Sequence, residues 1–285
     1  MTVVDISLCD TYLFDTELED IVDIEAAYSE SKFCPVVLSN SEKGIVISDL
    51  HIPYHKIDIL KKVLHDADGY RDFCVIAGDY LDQKCMSKFP KDNETLLEDE
   101  YNCGLNILNT IKKNFEKVYV IMGNHDARTK TALMRDGKFL KLAFMCIPDP
   151  LFYLTKGIAF KDGIPTTQYD FSNVNYFCSR DLQLGDVIFC HPNTYSRTNG
   201  KTVELTIEYY LRHRKTFNAV VIGHTHNSIK VPYLGKTGYE IGCMCYDLLP
   251  SAENMRASLP INAYLRLSYN NGCYVHSETT LIDLE

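Results

Sequence analysis

The sequence lacks any stretch in which about 18 apolar residues follow one another, although 46% of its 285 residues are hydrophobic. This absence excludes a membrane-spanning helix and predicts no membrane partner. The N-terminal stretch is acidic and lacks a basic region, so we expect no signal peptide. Internal repeats and low-complexity tracts are also missing. What remains is a chain long enough to bury one sizeable core.

Positive charge is scarce: the chain has 29 Lys and Arg but 38 Asp and Glu, which gives a net charge of −9. This balance argues against a surface that binds long duplex nucleic acid, although it leaves room for a small local basic patch.

The eleven cysteines are odd in number and lie mostly in apolar runs, as at Cys74, Cys178 and Cys190. They are typical of reduced, buried thiols and predict a cytoplasmic location. Cys243 and Cys245 are too closely spaced to form half of a zinc finger.

After residue 43, predicted strands alternate with predicted helices. Residues 1–43 mix apolar and acidic side chains and are predicted to be an N-terminal extension, followed by one domain over 44–285. The patterns predict strands over 44–48, 72–77, 118–122, 186–190 and 217–222, and helices over 56–66, 95–115, 138–144 and 201–214. Short antiparallel strands are expected between 152 and 186, and strand-like pieces follow residue 229. Such alternation predicts parallel βαβ units.

Polar side chains follow five of the predicted strands at the point where each strand ends. The clearest case is KVYVIMGNHD, in which an apolar run stops at Gly123 and presents Asn124, His125 and Asp126. Open α/β sheets build their sites at such carboxyl ends. The other four strand ends carry DLH, GDYLD, a histidine before proline, and GHTH.

These motifs hold two carboxylates, one amide and four imidazoles that suit metal binding. The residues concerned are Asp49, His51, Asp79, Asn124, His191, His224 and His226. Oxygen and imidazole donors without thiolate favour Mn²⁺, Fe, Zn²⁺ or Ni²⁺ over Ca²⁺ or Mg²⁺. Seven donors exceed one tetrahedral zinc site and fit two divalent metal ions that share a bridging carboxylate. We expect Mn²⁺ first among these metals.

The ordered series DLH, GDYLD, GNHD, lone histidine and GHTH resembles the calcineurin-like metallophosphoesterase superfamily. The resemblance spans about 44–226 and implies a four-layer α/β/β/α sandwich of mixed sheets, of α/β class, with two metals at the sheet edge. GNHD in place of GNHE looks more like the nuclease and nucleotide-phosphodiesterase branches. The strings DLHIPYH, HPNTYS and IGCMCYD are similar to phage-encoded members of unassigned substrate.

The resemblance also implies a role for each motif residue. Asp49, His51 and His226 would hold the first metal, and Asn124, His191 and His224 the second, with Asp79 bridging the pair. His125 would lie near the leaving-group oxygen, and Asp126 would orient and charge it.

A metal-bridging water has its pKa lowered toward neutrality, so a metal-bound hydroxide can act as the nucleophile. The leaving group then needs a proton or a strong positive field, which an imidazolium at His125 would supply. The GNHD form and the aromatic loops favour a phosphodiesterase acting on nucleotides or nucleic-acid ends. A phosphomonoesterase and a metal-free binding module stay open as alternatives.

Substrate contacts are less legible than metal ligands. Arg128 follows the GNHD motif closely and either clamps a substrate phosphate or forms a surface ion pair. Tyr195 and Arg197 are candidates for lining a substrate groove after His191. Aromatic residues in 169–177 either stack a base or belong to the core. Four polar residues have plainer expected roles. Asp82 is expected beside the ligands or capping a helix, His55 and Asp58 capping or exposed, and His65 at the surface or in packing.

Overall fold

The computed structural model describes residues 36–38, 40–87, 96–135, 150–161, 164–213, 215–246 and 260–284. The predicted helix over 138–144 and nearly all of the predicted N-terminal extension lie outside these residues. Where the chain is described, none of its helices combines the length and the apolar character needed to span a bilayer.

The described helices and strands follow the predicted order closely. The helices are α1 Ile57–Asp66, α2 Leu97–Lys112, α3 Arg128–Arg135, α4 Pro150–Thr155 and α5 Lys201–Arg212. The strands up to the middle of the chain are β1 Lys43–Ile47, β2 Phe73–Ala77, β3 Lys117–Ile121, β4 Ile158–Lys161, β5 Ile164–Thr167, β6 Val174–Phe177 and β7 Asp181–Leu184. The later strands are β8 Val187–Cys190, β9 Ala219–Ile222, β10 Ser228–Tyr233, β11 Lys236–Ile241, β12 Ala263–Asn270, β13 Cys273–Tyr274 and β14 Thr280–Asp283.

Two mixed sheets form the centre of the molecule. The first has the strand order β13-β12-β1-β2-β3-β6, with β14 also paired to β12. In it β1, β2, β3 and β6 run parallel, while β12 is antiparallel to β1. The second has the order β10-β11-β9-β8-β7, and its inner strands β11, β9 and β8 run parallel. The predicted parallel βαβ units are therefore confirmed.

Alternate residues of the central strands enter two separate cores, because successive side chains of a strand point to opposite faces. In β1, Ile45 and Ile47 pack beneath the helices α1, α2 and α4, whereas Val46 packs between the two sheets. Burial on both faces explains why these strands appear in the sequence as continuous apolar runs.

Helix α5 covers the outer face of the second sheet. A Cβ built on Gly238 of β11 would come within 2.7 Å of the Val203 side chain, so the absence of a side chain lets α5 approach closely. The layers are thus helices, sheet, sheet and helix. This architecture confirms the expected α/β/β/α sandwich of mixed sheets.

The region 152–186 differs from its prediction as a set of antiparallel strands. Pro150–Thr155 is a helix that buries Leu151 and Leu154, and proline suits its first turn. The strands β4 and β5 do pair antiparallel, but β6 joins the first sheet parallel to β3. Aromatic residues without a helical period could not reveal which neighbour β6 would choose.

Two other expectations concern the start of the chain and the cysteines. The backbone N–H of Val36 donates to the Gln183 carbonyl, and Leu38 is buried between the sheets. The domain boundary after residue 43 stays a prediction. Cys74 and Cys190 are buried as expected, whereas Cys178 is exposed just past the end of β6.

Candidate metal centre

The five predicted strand ends meet at one edge of the sandwich. β1, β2 and β3 are adjacent and parallel in the first sheet, and β8 and β9 are adjacent and parallel in the second. Their carboxyl ends therefore lie side by side. The side chains that follow them approach one another across both sheets.

One group of side chains gathers around Asp49. Its Oδ1 lies 3.1 Å from His226 Nε2 and 3.6 Å from His51 Nε2. The two Nε2 atoms are themselves 3.3 Å apart. The other carboxylate oxygen, Oδ2, accepts hydrogen bonds from the Ser48 hydroxyl and, at 2.9 Å, from the His224 backbone N–H. Oδ1 is thus left facing the two imidazoles.

A second group gathers on the other side of Asp79. His191 Nε2 lies 3.1 Å from Asn124 Oδ1 and 3.2 Å from Asp79 Oδ2. Ligand atoms of Asp79, His191 and His224 all fall within 4.8 Å of one another. Asp79 Oδ2 is also 3.7 Å from His51 Nε2, so this oxygen adjoins both groups.

Two of the imidazoles are held with their Nε2 lone pairs directed into the site. His191 Nδ1 donates to the Ala77 carbonyl oxygen at 2.8 Å. His51 Nδ1 donates at 3.0 Å to Asp82 Oδ1. A ring whose Nδ1 carries the proton presents Nε2 as the metal-binding nitrogen. The donor set therefore fits divalent cations.

The backbone at the site is held in an uncommon conformation. Asp49, His51, Asp79, His224 and His226 all have left-handed φ values, from 46° to 74°. Residues with a side chain seldom adopt this region, and strain of this kind is characteristic of functional sites. It turns each side chain sharply away from the direction of its strand.

The glycines of the GD, GN and GH motifs make room for neighbouring site residues. A Cβ on Gly78 would lie 2.4 Å from His191 Nδ1, and one on Gly123 would lie 2.0 Å from Asp79 Oδ1. At Gly223 the same atom would lie 2.0 Å from the Ser48 hydroxyl oxygen. Each glycine is thus required by a polar group from another strand.

The charges of the site favour a cation at its centre. Burial opposes ionisation of Asp49, yet the charge of His226 holds its pKa well below the usual value. Burial likewise opposes a charge on His51 and His191, but their contacts with Asp49 and Asp79 raise the pKa to about 10 and about 9. Divalent cations compete with these protons for the same nitrogen atoms. Metal binding is therefore expected to release protons.

The sequence paired Asp126 with His125, but a different carboxylate occupies that position. Asp82 Oδ1 accepts from His125 Nδ1 at 2.8 Å. The Asp126 carboxylate instead accepts the backbone N–H groups of Leu81 at 2.9 Å, Gly123 at 2.8 Å and Tyr80 at 3.2 Å. Asp126 therefore connects the loops after β2 and β3. It is buried, and its carboxylate supplies the acceptor that these buried backbone N–H groups need.

His125 and Arg128 form a pair at the edge of the site. Arg128 donates to His125 Nε2 at 2.9 Å and, through its other terminal nitrogen, to the Asp82 carbonyl oxygen at 2.7 Å. Burial is the main cause that lowers the pKa of His125, and the Arg128 charge acts in the same direction. The ion pair considered for Arg128 is present, with Asp82 Oδ2 at 3.6 Å, but it lies inside the site and not on the surface.

The predicted substrate residues lie on the more open side of the centre. The Tyr195 ring is 5.6 Å from the His224 ring and is 56% exposed. Tyr195 lines a groove of about 490 Å³ that continues past Pro192 toward Tyr209 on α5. Arg197 is exposed nearby in sequence. The aromatic segment 169–177 supplies Phe171 to the core beneath the helices, which favours its packing role.

Two residues of the site were missed or undervalued at the level of sequence. Asp82 lies beside the candidate ligands, as its expected supporting role implies, but its contact with His125 was not foreseen. Ligand atoms of Cys245, His51 and His226 lie within 4.8 Å of one another. Cys245 belongs to the IGCMCYD string, but with Cys243 it was considered only as half of a zinc finger, and a single thiol after β11 has no ligand spacing of its own. Of the plainer residues, Asp58 and His65 are exposed, and His55 is half-buried with its backbone paired to Cys245.

A family model covers most of the chain. Residues 44–228, more than half of the chain, match the family model for calcineurin-like phosphoesterases. The chain therefore belongs to the calcineurin-like phosphoesterase family. This family uses divalent metals, and the groups around Asp49 and Asp79 are its candidate ligands here.

Solved structures with a similar fold include proteins of several kinds. Vacuolar Protein Sorting 29 from Cryptosporidium parvum is 13% identical with a TM-score of 0.42, over 86% of this chain and 99% of that one. A metallophosphoesterase from Sphaerobacter thermophilus is 15% identical with a TM-score of 0.42, over 86% and 89%. An archaeal phosphodiesterase is 13% identical with a TM-score of 0.39, over 85% and 99%. A search of curated proteins returned no significant match.

Proposed function

We propose that the protein is a phosphodiesterase that hydrolyses nucleotides or nucleic-acid ends with the help of two divalent cations. The observation that carries this proposal is the position of Asp79 Oδ2, 3.2 Å from His191 Nε2 and 3.7 Å from His51 Nε2. An oxygen between two groups of ligand atoms suits a carboxylate that bridges two metals. The nuclease-like GNHD motif supports the choice of substrate class.

The residues around Asp49 would hold one cation and those around His191 the other. When bound, the cations would stabilise phosphoryl charge as Lewis acids and acidify the water that attacks phosphorus. Mn²⁺ stays our first expectation, with Fe, Zn²⁺ and Ni²⁺ as alternatives from the same donor chemistry. A cytoplasmic location stays a prediction from the cysteines.

His125 and Arg128 would serve the leaving group. Arg128 carries a permanent positive charge and can bind a phosphoryl oxygen. A substrate oxygen that attracts the guanidinium would release His125 Nε2, which Arg128 covers at 2.9 Å. The released Nε2 would first take up a proton from solvent, which the Asp82 carboxylate at Nδ1–H favours, and His125 would then be able to protonate the departing alkoxide.

The open side of the centre favours a substrate with an organic group on both sides of its phosphate. His224 and Asn124 are half-buried, and the groove at Tyr195 has room for a nucleoside. Tyr195 would stack a base, and Arg197 would meet a further phosphate. One organic group of a phosphodiester would occupy this groove while the other leaves beside His125.

The first experiment compares hydrolysis of bis-p-nitrophenyl phosphate with that of p-nitrophenyl phosphate in the presence of Mn²⁺. We expect the diester to be preferred. A preference for the monoester would overturn the proposed substrate class in favour of a phosphatase. Bound metal without turnover of either compound would instead support the non-catalytic binding module.

The variant His125→Ala tests the role of the imidazole. We expect it to keep its metal content and its fold but to lose activity on poor leaving groups by about 10²–10⁴-fold. His65→Ala is the matched control, because its side chain is 89% exposed. Unchanged turnover by His125→Ala would exclude the proposed general acid.

A further inference from the structure

The segment Cys243–Cys245 is docked on the loop that carries Asp49 and His51. The Met244 backbone N–H donates to the carbonyl oxygens of Ser48 at 3.2 Å and Asp49 at 3.1 Å. In return, the Lys56 N–H donates to the Met244 carbonyl oxygen at 2.8 Å. The backbone of this segment is therefore fixed to the first group of candidate ligands.

A buried amide fixes the same segment from its other side. The Asn262 side-chain nitrogen donates to the carbonyl oxygens of Cys243 at 3.0 Å and Cys245 at 3.1 Å. Cys245 also pairs its backbone with His55 in an antiparallel bridge. Contacts on both sides fix the backbone position from which the thiol of Cys245 projects.

The thiol of Cys245 is directed into the metal centre. Its sulfur and the ligand nitrogens of His51 and His226 all lie within 4.8 Å of one another. Cys245 is only 1% exposed. A cysteine that serves only as packing is expected among apolar groups, whereas this one adjoins two imidazoles.

We propose that Cys245 supplies a thiolate ligand to the cation held by Asp49, His51 and His226. This inference rests on the metal centre of the proposed function, but not on the reaction. On binding, the thiol proton passes to solvent and a sulfur lone pair is shared with the cation. The two metal positions then differ in chemistry, because the second group offers only nitrogen and oxygen atoms among the described residues.

A thiolate changes which metal the first position selects. Sulfur ligands favour Zn²⁺ and iron over Mn²⁺, which is better served by carboxylate and water. The first position should thus prefer Zn²⁺ or iron, and the preference for Mn²⁺ expected from the sequence should hold only for the second position. That expectation was based on a donor set without sulfur.

Cys243 is the natural rival for this role. It is buried and adjoins His226, while its sulfur lies 3.7 Å from the Asn262 side-chain nitrogen. The described residues also include an exposed cysteine in β13, Cys273, which serves as a control for adventitious thiol binding. The three cysteines can be separated by single substitutions.

The test is a titration of the full-length, metal-free protein with Co²⁺, followed by absorption spectroscopy. We expect a sulfur-to-cobalt charge-transfer band in the near ultraviolet for the unaltered protein, Cys273→Ser and Cys243→Ser. Cys245→Ser should lose this band while keeping the visible bands of cobalt bound by histidine. Its Zn²⁺ affinity, measured by chelator competition, should fall by at least about 10-fold.

Several outcomes would overturn the inference: no charge-transfer band at all, a band that survives in Cys245→Ser, or a band lost only in Cys243→Ser. X-ray absorption at the zinc edge needs no variant, and should show a sulfur neighbour at about 2.3 Å. If Cys245→Ser does not fold, the same measurement on Cys243→Ser decides, because a sulfur neighbour that persists there excludes the rival cysteine. A sulfur ligand in a protein without hydrolytic activity would refute the proposed function only, while hydrolysis without a sulfur ligand would refute this inference only.

Discussion

The two sides of the metal centre differ in how far they are closed to solvent. Asp49, His51 and His226 are buried and are braced by a segment that docks on their loop. On the other side, Asn124 and His224 are half-buried, and the His224 ring adjoins Tyr195 at the groove. The closed side is built to hold a cation, and the open side leaves space next to it.

The histidines illustrate the difference in electrostatic terms. Burial acts against the charged form of both His51 and His224. At His51 the contact with Asp49 outweighs burial and raises the pKa to about 10, whereas at His224 the neighbouring His191 adds to burial and the pKa falls to about 4. His191, next to His224, nevertheless has its pKa raised to about 9 by Asp79, so a carboxylate attracts positive charge on each side of the centre.

The largest effect is expected from Asp79→Asn, which removes the one group shared by both sides. The variant keeps an oxygen for the His125 backbone N–H, which Asp79 Oδ1 now accepts at 2.8 Å. It loses the charge that both cations would share, so both metals should be depleted together and activity should fall by orders of magnitude. Metal analysis by mass spectrometry measures this directly.

Asp58→Asn is the control for Asp79→Asn, since Asp58 is an exposed carboxylate in the first turn of α1. If Asp79→Asn lost the metal of only one side, the two sides would be independent sites. Unchanged metal content would remove Asp79 from the ligand set altogether.

The sequence predicted much of this centre because its strands are buried on both faces and end at glycines. Gly78, Gly123 and Gly223 mark positions where a polar group of another strand comes too close for a Cβ. The sequence could not predict which carboxylate contacts His125, because that depends on the conformation of the loops. Both Asp82 and Asp126 follow a strand closely, and only the folded loop, with left-handed φ at Asp79 and Gln83, decides which of them reaches His125.

Cys245 was not foreseen for a related reason. The first group draws its ligands from three distant stretches of chain, and the docking of the segment after β11 is a tertiary contact with no local pattern. The pairing of β6 was not foreseen for the same reason, since β6 adds in parallel to β3 at the edge of the first sheet and no local pattern indicates that neighbour. Local patterns gave the kind of most elements, with the helix Pro150–Thr155 as an exception, while long-range contacts fixed their partners.

A matched pair of carboxylates tests which one supports His125. Asp82→Asn should lower kcat by about 10–100-fold, because it weakens the orientation of both His51 and His125. Asp126→Asn should chiefly lower the free energy of unfolding, by about 1–3 kcal/mol, because an amide replaces an acceptor of three backbone N–H groups. Steady-state kinetics and chemical denaturation separate the two effects. The reverse pattern would restore the pairing of Asp126 with His125.

The smallest effect is expected on the open side, from Tyr195→Ala. If Tyr195 stacks a base, its loss should raise KM for thymidine 5′-p-nitrophenyl phosphate by the factor that corresponds to the roughly 1–3 kcal/mol of such stacking. The kcat should stay near its original value. Bis-p-nitrophenyl phosphate carries no base and should be affected less. Tyr209→Ala is the matched control, because Tyr209 is a similarly exposed tyrosine in the same groove but lies on α5. An equal rise in KM for both variants would mean that the whole groove binds the substrate. No rise for either variant would mean that the open side binds the phosphate without contacting the base.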